Sequence, residues 1–191
     1  MKRLLFTFCC LLCAIVSLAQ TNTHIKFMGI PITGTITQFQ NKLIAKGCTY
    51  NKTLSASLPN GSRAFKGTFV GNKVEIYVYY DIKTKIVYRT KAAISGVSED
   101  IADQEYSKIK NLLSQKYGSD SEHMFIGTKD GKESASFIST NDDEKIDGEI
   151  DIFITKDEQT WLRYPFNYNV HIDYNDLINT NKHNSQQFDE I

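Results

Sequence analysis

The stretch Val74 to Asp81, Val-Glu-Ile-Tyr-Val-Tyr-Tyr-Asp, alternates Val74, Ile76 and Val78 with Glu75, Tyr77 and Tyr79. A period of two puts these sets on opposite faces of a strand, one buried and one wetter. A near copy follows at Ile150 to Asp157, Ile-Asp-Ile-Phe-Ile-Thr-Lys-Asp, with apolar, acidic and aromatic residues in the same order and the same closing Asp. Two strands of one pattern read as equivalent strands in the two halves of a duplicated fold.

The flanking segments fit that reading. His24 to Met28 is a short first strand, broken by Gly29-Ile30-Pro31. Thr33-Gly34-Thr35 starts a helix with Ile36, Phe39, Leu43 and Ile44 on one side, closed by Lys46 and Gly47. Cys48 to Leu58 reads as extended, Asn60-Gly61 as a turn, Ala64 to Val70 as a strand and Gly71-Asn72 as a hairpin loop. Ile86 to Ile94 closes the first half. Ser98 is a candidate N-cap, with Glu99 and Asp100 behind it. Ala102, Tyr106, Ile109 and Leu113, widened by Leu112, form the stripe of a second helix that ends at Tyr117-Gly118.

Strands at His123 to Thr128 and Glu133 to Thr140 then flank the turn at Asp130-Gly131. The acidic loop Asn141 to Gly148, the copy strand, a strand at Thr160 to Tyr164 and another at Tyr168 to Tyr174 complete the second half. A short helix begins near Asp176. Asn60 and Asp130 are 70 positions apart and Val74 and Ile150 are 76 apart, so the loops of the two halves differ in length.

The expected fold class is therefore α+β: two tandem helix-plus-four-strand units, residues 20–96 and 97–180, forming antiparallel sheet with helices on one face. Residues 181–191 are expected to be a loosely held tail.

The N-terminus reads as an export signal. Lys2 and Arg3 precede the apolar run Leu4 to Val16, and Ser17-Leu18-Ala19 suits cleavage after Ala19. No later apolar run is long enough to span a bilayer, so the expected location is periplasmic or secreted. Beyond Ala19 stand 20 basic and 22 acidic residues, a balance that argues against nucleic-acid binding. Only Cys48 remains of four cysteines, so no internal disulfide is expected there.

Phe27-Met28-Gly29-Ile30-Pro31-Ile32, Gly34, Phe39, Leu43 and Lys46-Gly47 resemble the opening of exported, uncharacterised proteins of Bacteroidetes bacteria. Tyr168-Asn169-Val170, Ile172, Tyr174, Asp176 and Asn179 resemble their ending. The resemblance implies no activity. The element order is also similar to the β-lactamase-inhibitor-protein-like architecture, whose members bind other proteins. That likeness is topological and carries over no residue.

No catalytic signature stands out. There is no Gly-x-Ser-x-Gly elbow and no glycine-rich phosphate loop. The acidic cluster Asp142, Asp143, Glu144, Asp147 and Glu149 departs from an EF-hand, since Lys145 and Ile154 stand where ligands should, and it reads as a solvated loop. His24, His123, His171 and His183 lack zinc spacing, and His171 alternates onto the polar side of its strand as a surface residue. Cys48 reads as a small buried hydrophobe. No metal and no cofactor are expected.

The candidate site is instead a strand face. Tyr77 and Tyr79 lie on the wetter side of their strand, Arg89 and Lys91 on that of the next, and Phe153 takes the place of Tyr77 in the copy. Tyrosine and arginine combine contact area with polar tips and are enriched at interfaces. The expected function is a non-enzymatic exported module that binds another envelope or secreted protein through this face. The alternative is an envelope-associated protein that binds or acts on glycans, and a third, structural possibility is a homo-oligomer joined through edge strands.

Overall fold

The structure, a computed structural model, describes residues 24–157 and 167–188. The expected leader and the expected strand at Thr160 to Tyr164 lie outside these residues. The architecture is α+β, with four helices and one large antiparallel sheet among the described residues.

β1 (Lys26–Phe27) and β2 (Ile30–Pro31) pair with each other around Met28 and Gly29. Ile30-Pro31 thus turns back onto the first strand as well as ending it. α1 (Ile36–Ala45) starts at Thr35, whose hydroxyl accepts from the Gln38 N–H at 3.3 Å. Gln38 Oε1 accepts from the Thr35 N–H at 2.9 Å, completing a capping box. Ile36, Phe39 and Leu43 are buried, whereas Ile44, expected in the same stripe, is 47% exposed.

The expected extended run from Cys48 to Leu58 is only two residues of strand, β3 (Thr49–Tyr50), followed by α2 (Lys52–Ser57). Asn51 explains the switch, because its Oδ1 caps the helix by accepting from the Leu54 N–H at 3.2 Å. Three strands follow α2: β4 (Ser62–Phe69), β5 (Asn72–Tyr80) and β6 (Val87–Val97). The β4–β5 turn is Val70-Gly71, one residue earlier than expected, with both residues at positive φ.

α3 (Glu99–Tyr117) buries Ala102, Tyr106, Ile109 and Leu113 as expected, while Leu112 is exposed. β7 (Met124–Lys129), β8 (Lys132–Thr140), β9 (Ile146–Lys156) and β10 (Tyr168–Asp176) complete the sheet. α4 (Leu177–Phe188) continues as helix through most of the expected loose tail.

The eight-stranded sheet has the order β3-β4-β5-β6-β10-β9-β8-β7, antiparallel throughout. β6 and β10 meet at its centre, and β5 and β9 stand one strand outward on either side. Ile76, Val78, Ala92, Ile150, Ile152, Val170 and Ile172 point to one face and join the stripes of α1 and α3 in a single core. Phe27 seals one end of that core, stacked on Phe69 at 5.3 Å and edge-on to Tyr174 at 5.4 Å.

Candidate functional site

The other face of the sheet is read directly from the register. Glu75, Ala93, His171, Phe153 and Ser134 lie across it in one row, and Tyr77, Lys91, Asp173, Asp151 and Ser136 in the next. Tyr79 opposes Arg89 in a third. The structure therefore brings all five expected residues onto one face: Tyr77, Tyr79, Arg89 and Lys91 as neighbours, Phe153 two strands beyond Lys91's strand. Arg89 is exposed and the other four are partly buried.

Each of the three aromatic rings carries a cation. Lys91 Nζ lies 5.2 Å from the centroid of Tyr77, the Arg89 guanidinium 5.2 Å from Tyr79, and Lys129 Nζ 3.4 Å from Phe153. The charges are paired too. Arg89 Nε donates to Asp173 Oδ1 at 2.8 Å and its Nη2 donates to Oδ2, a two-point contact. Tyr77 OH donates to Glu75 Oε2 at 2.8 Å, and Ser136 OH donates to Asp151. Burial, then the Glu75 carboxylate, raises the Tyr77 phenol well above its ordinary range. The Asp173 contact holds the Arg89 proton even more tightly than usual, while burial lowers Lys91.

His171 was expected at the surface but is half-buried between Phe153, 5.0 Å away, and the Lys91 and Lys129 ammonium groups. Burial first, then these two cations, push its pKa down to about 4. Its Nε2 sits 2.8 Å from Thr155 Oγ1, and its Nδ1 has no partner among the described residues.

Beside Phe153 is a shallow hollow of about 240 Å³ lined by Lys129, Ser134, Ser136 and Asp151.

A second pocket, of about 230 Å³, lies where α4 meets the β5–β6 turn. Two His–Asp pairs line or flank it: His24 Nδ1 to Asp176 Oδ2 at 2.9 Å and His183 Nδ1 to Asp81 Oδ2 at 2.7 Å. Tyr88 stacks on His183 at 4.4 Å. Burial alone would raise the Asp81 carboxyl, but hydrogen bonds from Thr84, His183 and the Lys83 N–H outweigh it and hold it at about 2. The pairs join residues 152 and 102 positions apart, so spacing along the chain gives no sign of them. Chemically they dock α4: Asn179 beside them donates to the Ile32 and Val87 carbonyls at 3.0 and 3.1 Å.

The acidic cluster is only partly a solvated loop. Asn141 Oδ1 accepts from the Asp143 and Lys145 N–H groups and closes the turn, whereas Asp147 is buried, with its carboxyl raised by that burial. Among the described residues no group of three or more His, Cys, Asp or Glu is placed to hold a metal ion. Cys48 is free and buried. Comparison with family models, with curated proteins and with solved structures returned no match.

Proposed function

We propose that the chain is a non-enzymatic exported binding protein that presents the Tyr77/Tyr79/Arg89/Lys91/Phe153 face of its sheet to a protein partner. The observation that carries the reading is the joint placement of these side chains on the sheet face opposite the core, each ring topped by a cation. Aromatic and arginine anchors side by side on a sheet face suit a protein surface. A glycan reading draws on the hollow beside Phe153, but Lys129 Nζ, 3.4 Å from that ring, occupies a face a sugar would need.

The proposal extends to organisation and address. α1 with β3 to β6, and α3 with β7 to β10, support a reading as two tandem helix-plus-four-strand units, with β5 and β9 as counterparts. Export and kinship with the exported Bacteroidetes proteins rest on the leader pattern and the motifs quoted above.

The test is capture from native envelope extract on immobilised residues 20–191, with a Tyr77→Ser/Tyr79→Ser variant of matched thermal midpoint beside it. A protein retained by the native form and lost by the variant is the expected result. Equal capture by both removes this face from the reading, and glycan capture without protein capture replaces it with the alternative.

A further inference from the structure

The two edges of the sheet are finished differently. At the β4 edge, β3 covers Phe65 and Lys66, and α2 takes over where β3 ends. There Ser55 OH donates to the Ala64 carbonyl at 3.3 Å, the Ala64 N–H donates to Ser55 Oγ at 2.8 Å, and the Asn51 N–H donates to the same carbonyl at 2.9 Å. The outward groups of Ala64 and Lys66 are thus met. At the other, β7 is the last strand, with no element paired to its outer side among the described residues.

The β7–β8 hairpin decides which backbone groups are left over. Its two-residue turn, Asp130-Gly131 with both φ positive, makes Lys129–Lys132 a hydrogen-bonded pair. Lys129, Gly127 and Phe125 then bond to β8, and Ile126 and Thr128 direct N–H and C=O outward. Met124 directs only its carbonyl outward, since its N–H donates to Asp120 O at 2.9 Å. The side chains at this edge are apolar and uncovered. Phe125 is 52% exposed on the aromatic face and Ile126 is 53% exposed on the helix-bearing face. An apolar edge strand with open donors and acceptors is a template for another strand.

We propose that this edge pairs with the β7 of a second copy, antiparallel about a two-fold axis at Ile126 perpendicular to the sheet. Self-pairing requires opposed residues to share a face, and the outward groups sit on even-numbered residues, so Ile126 opposes Ile126 and Met124 opposes Thr128. Phe125 then lies over Gly127 of the copy, where no side chain stands in its way. This register sets Lys129 opposite His123, whose ring is bound to Asp120 at 2.7 Å, while the Lys129 ammonium stays on Phe153 of its own chain. The two-fold contact uses the same edge of both copies, so pairing there closes at a dimer. The product is a sixteen-stranded sheet with two continuous copies of the aromatic face.

The test is sedimentation equilibrium of the chain over a hundredfold concentration range, with three variants. The native chain is expected to pass from monomer to dimer. Ile126→Lys is expected to remain a monomer, its charge facing its own copy. Thr128→Pro removes one outward N–H without touching the β8 pairing and is expected to weaken association by tenfold or more at an unchanged melting temperature. Under mild oxidation Ile126→Cys is expected to give a covalent dimer, since opposed residues of a hydrogen-bonded pair have Cα atoms about 5.5 Å apart, within disulfide reach. A monomer at every concentration overturns the proposal. So does a dimer that survives both Ile126→Lys and Thr128→Pro, which would place the contact elsewhere.

Discussion

His171 makes the stability of this chain depend on pH in a calculable direction. Its ring is enclosed by Phe153 and faces the Lys91 and Lys129 ammonium groups. A protonated imidazole must donate from both nitrogens, and Nδ1 finds no acceptor among the described residues. Its pKa accordingly falls from 6.5 to about 4 on folding. The unfolded chain then binds the proton more readily than the folded one. The contribution is complete above pH 6.5 and is lost as pH falls from there towards 4. With these two values the loss between pH 8 and pH 5 is about 2 kcal/mol, and the limit at lower pH is about 3 kcal/mol. Chemical denaturation of the native chain and of His171→Gln at both pH values isolates the term. Glutamine can still meet Thr155, and the acid groups with the opposite pH sign, the buried Asp147 and the partly buried Glu149, are common to both proteins. At a urea slope of roughly 2 kcal/mol per molar for a chain of this size, the native midpoint should fall by about 1 M more than that of the variant. Parallel profiles would refute the reasoning, as would a ring titrating above pH 6 by NMR.

Two further perturbations test the packing and the aromatic face. A Cβ on Gly148 would meet Ile25 Cδ1 at 2.6 Å and Ile25 Cβ at 2.7 Å, so Gly148→Ala should cost about 1–3 kcal/mol by overpacking, and adding Ile25→Ala should recover part of that loss of thermal midpoint. Arg89 and Asp173 should respond unequally to truncation, because their side chains are 44% and 5% exposed. Arg89→Met strands a buried carboxylate and should cost about 2–3 kcal/mol, whereas Asp173→Asn leaves a guanidinium that can turn to water and should cost about 1 kcal/mol; equal or reversed losses on denaturation would contradict the pairing.

Which parts of this molecule are legible in its sequence follows from the range of the interactions involved. Strand alternation and helix stripes are local, so Val74, Ile76 and Val78, and likewise Ala102, Tyr106, Ile109 and Leu113, go to the core as their spacing predicts. Coplacement of Tyr77, Tyr79, Arg89 and Lys91 follows from alternation plus a short turn, again a local matter. The failures are where a single side chain or a distant partner decides. Asn51 turns a polar, strand-like run into α2 by capping it. Asp176 and Asp81 become partners of His24 and His183 only because the chain ends fold back across the sheet. Alternation also assigns His171 and Asp173 to the wetter face correctly, yet both are enclosed there by neighbouring side chains.

That enclosure explains how such a face can be stable when no helix among the described residues covers it. Its cations, Arg89, Lys91 and Lys129, lie on rings, and three of its carboxylates find donors: Asp173 in Arg89, Glu75 in Tyr77, Asp151 in Ser136. Around Tyr77 and Tyr79 the polar groups are met within the chain, so a protein docking on these rings would gain chiefly from the aromatic area. The β7 edge is the converse case, apolar side chains beside backbone donors and acceptors that nothing in the described chain meets. Hydrogen bonding there requires a strand, and the register that places Phe125 over Gly127 makes the chain's own β7 the partner the edge fits.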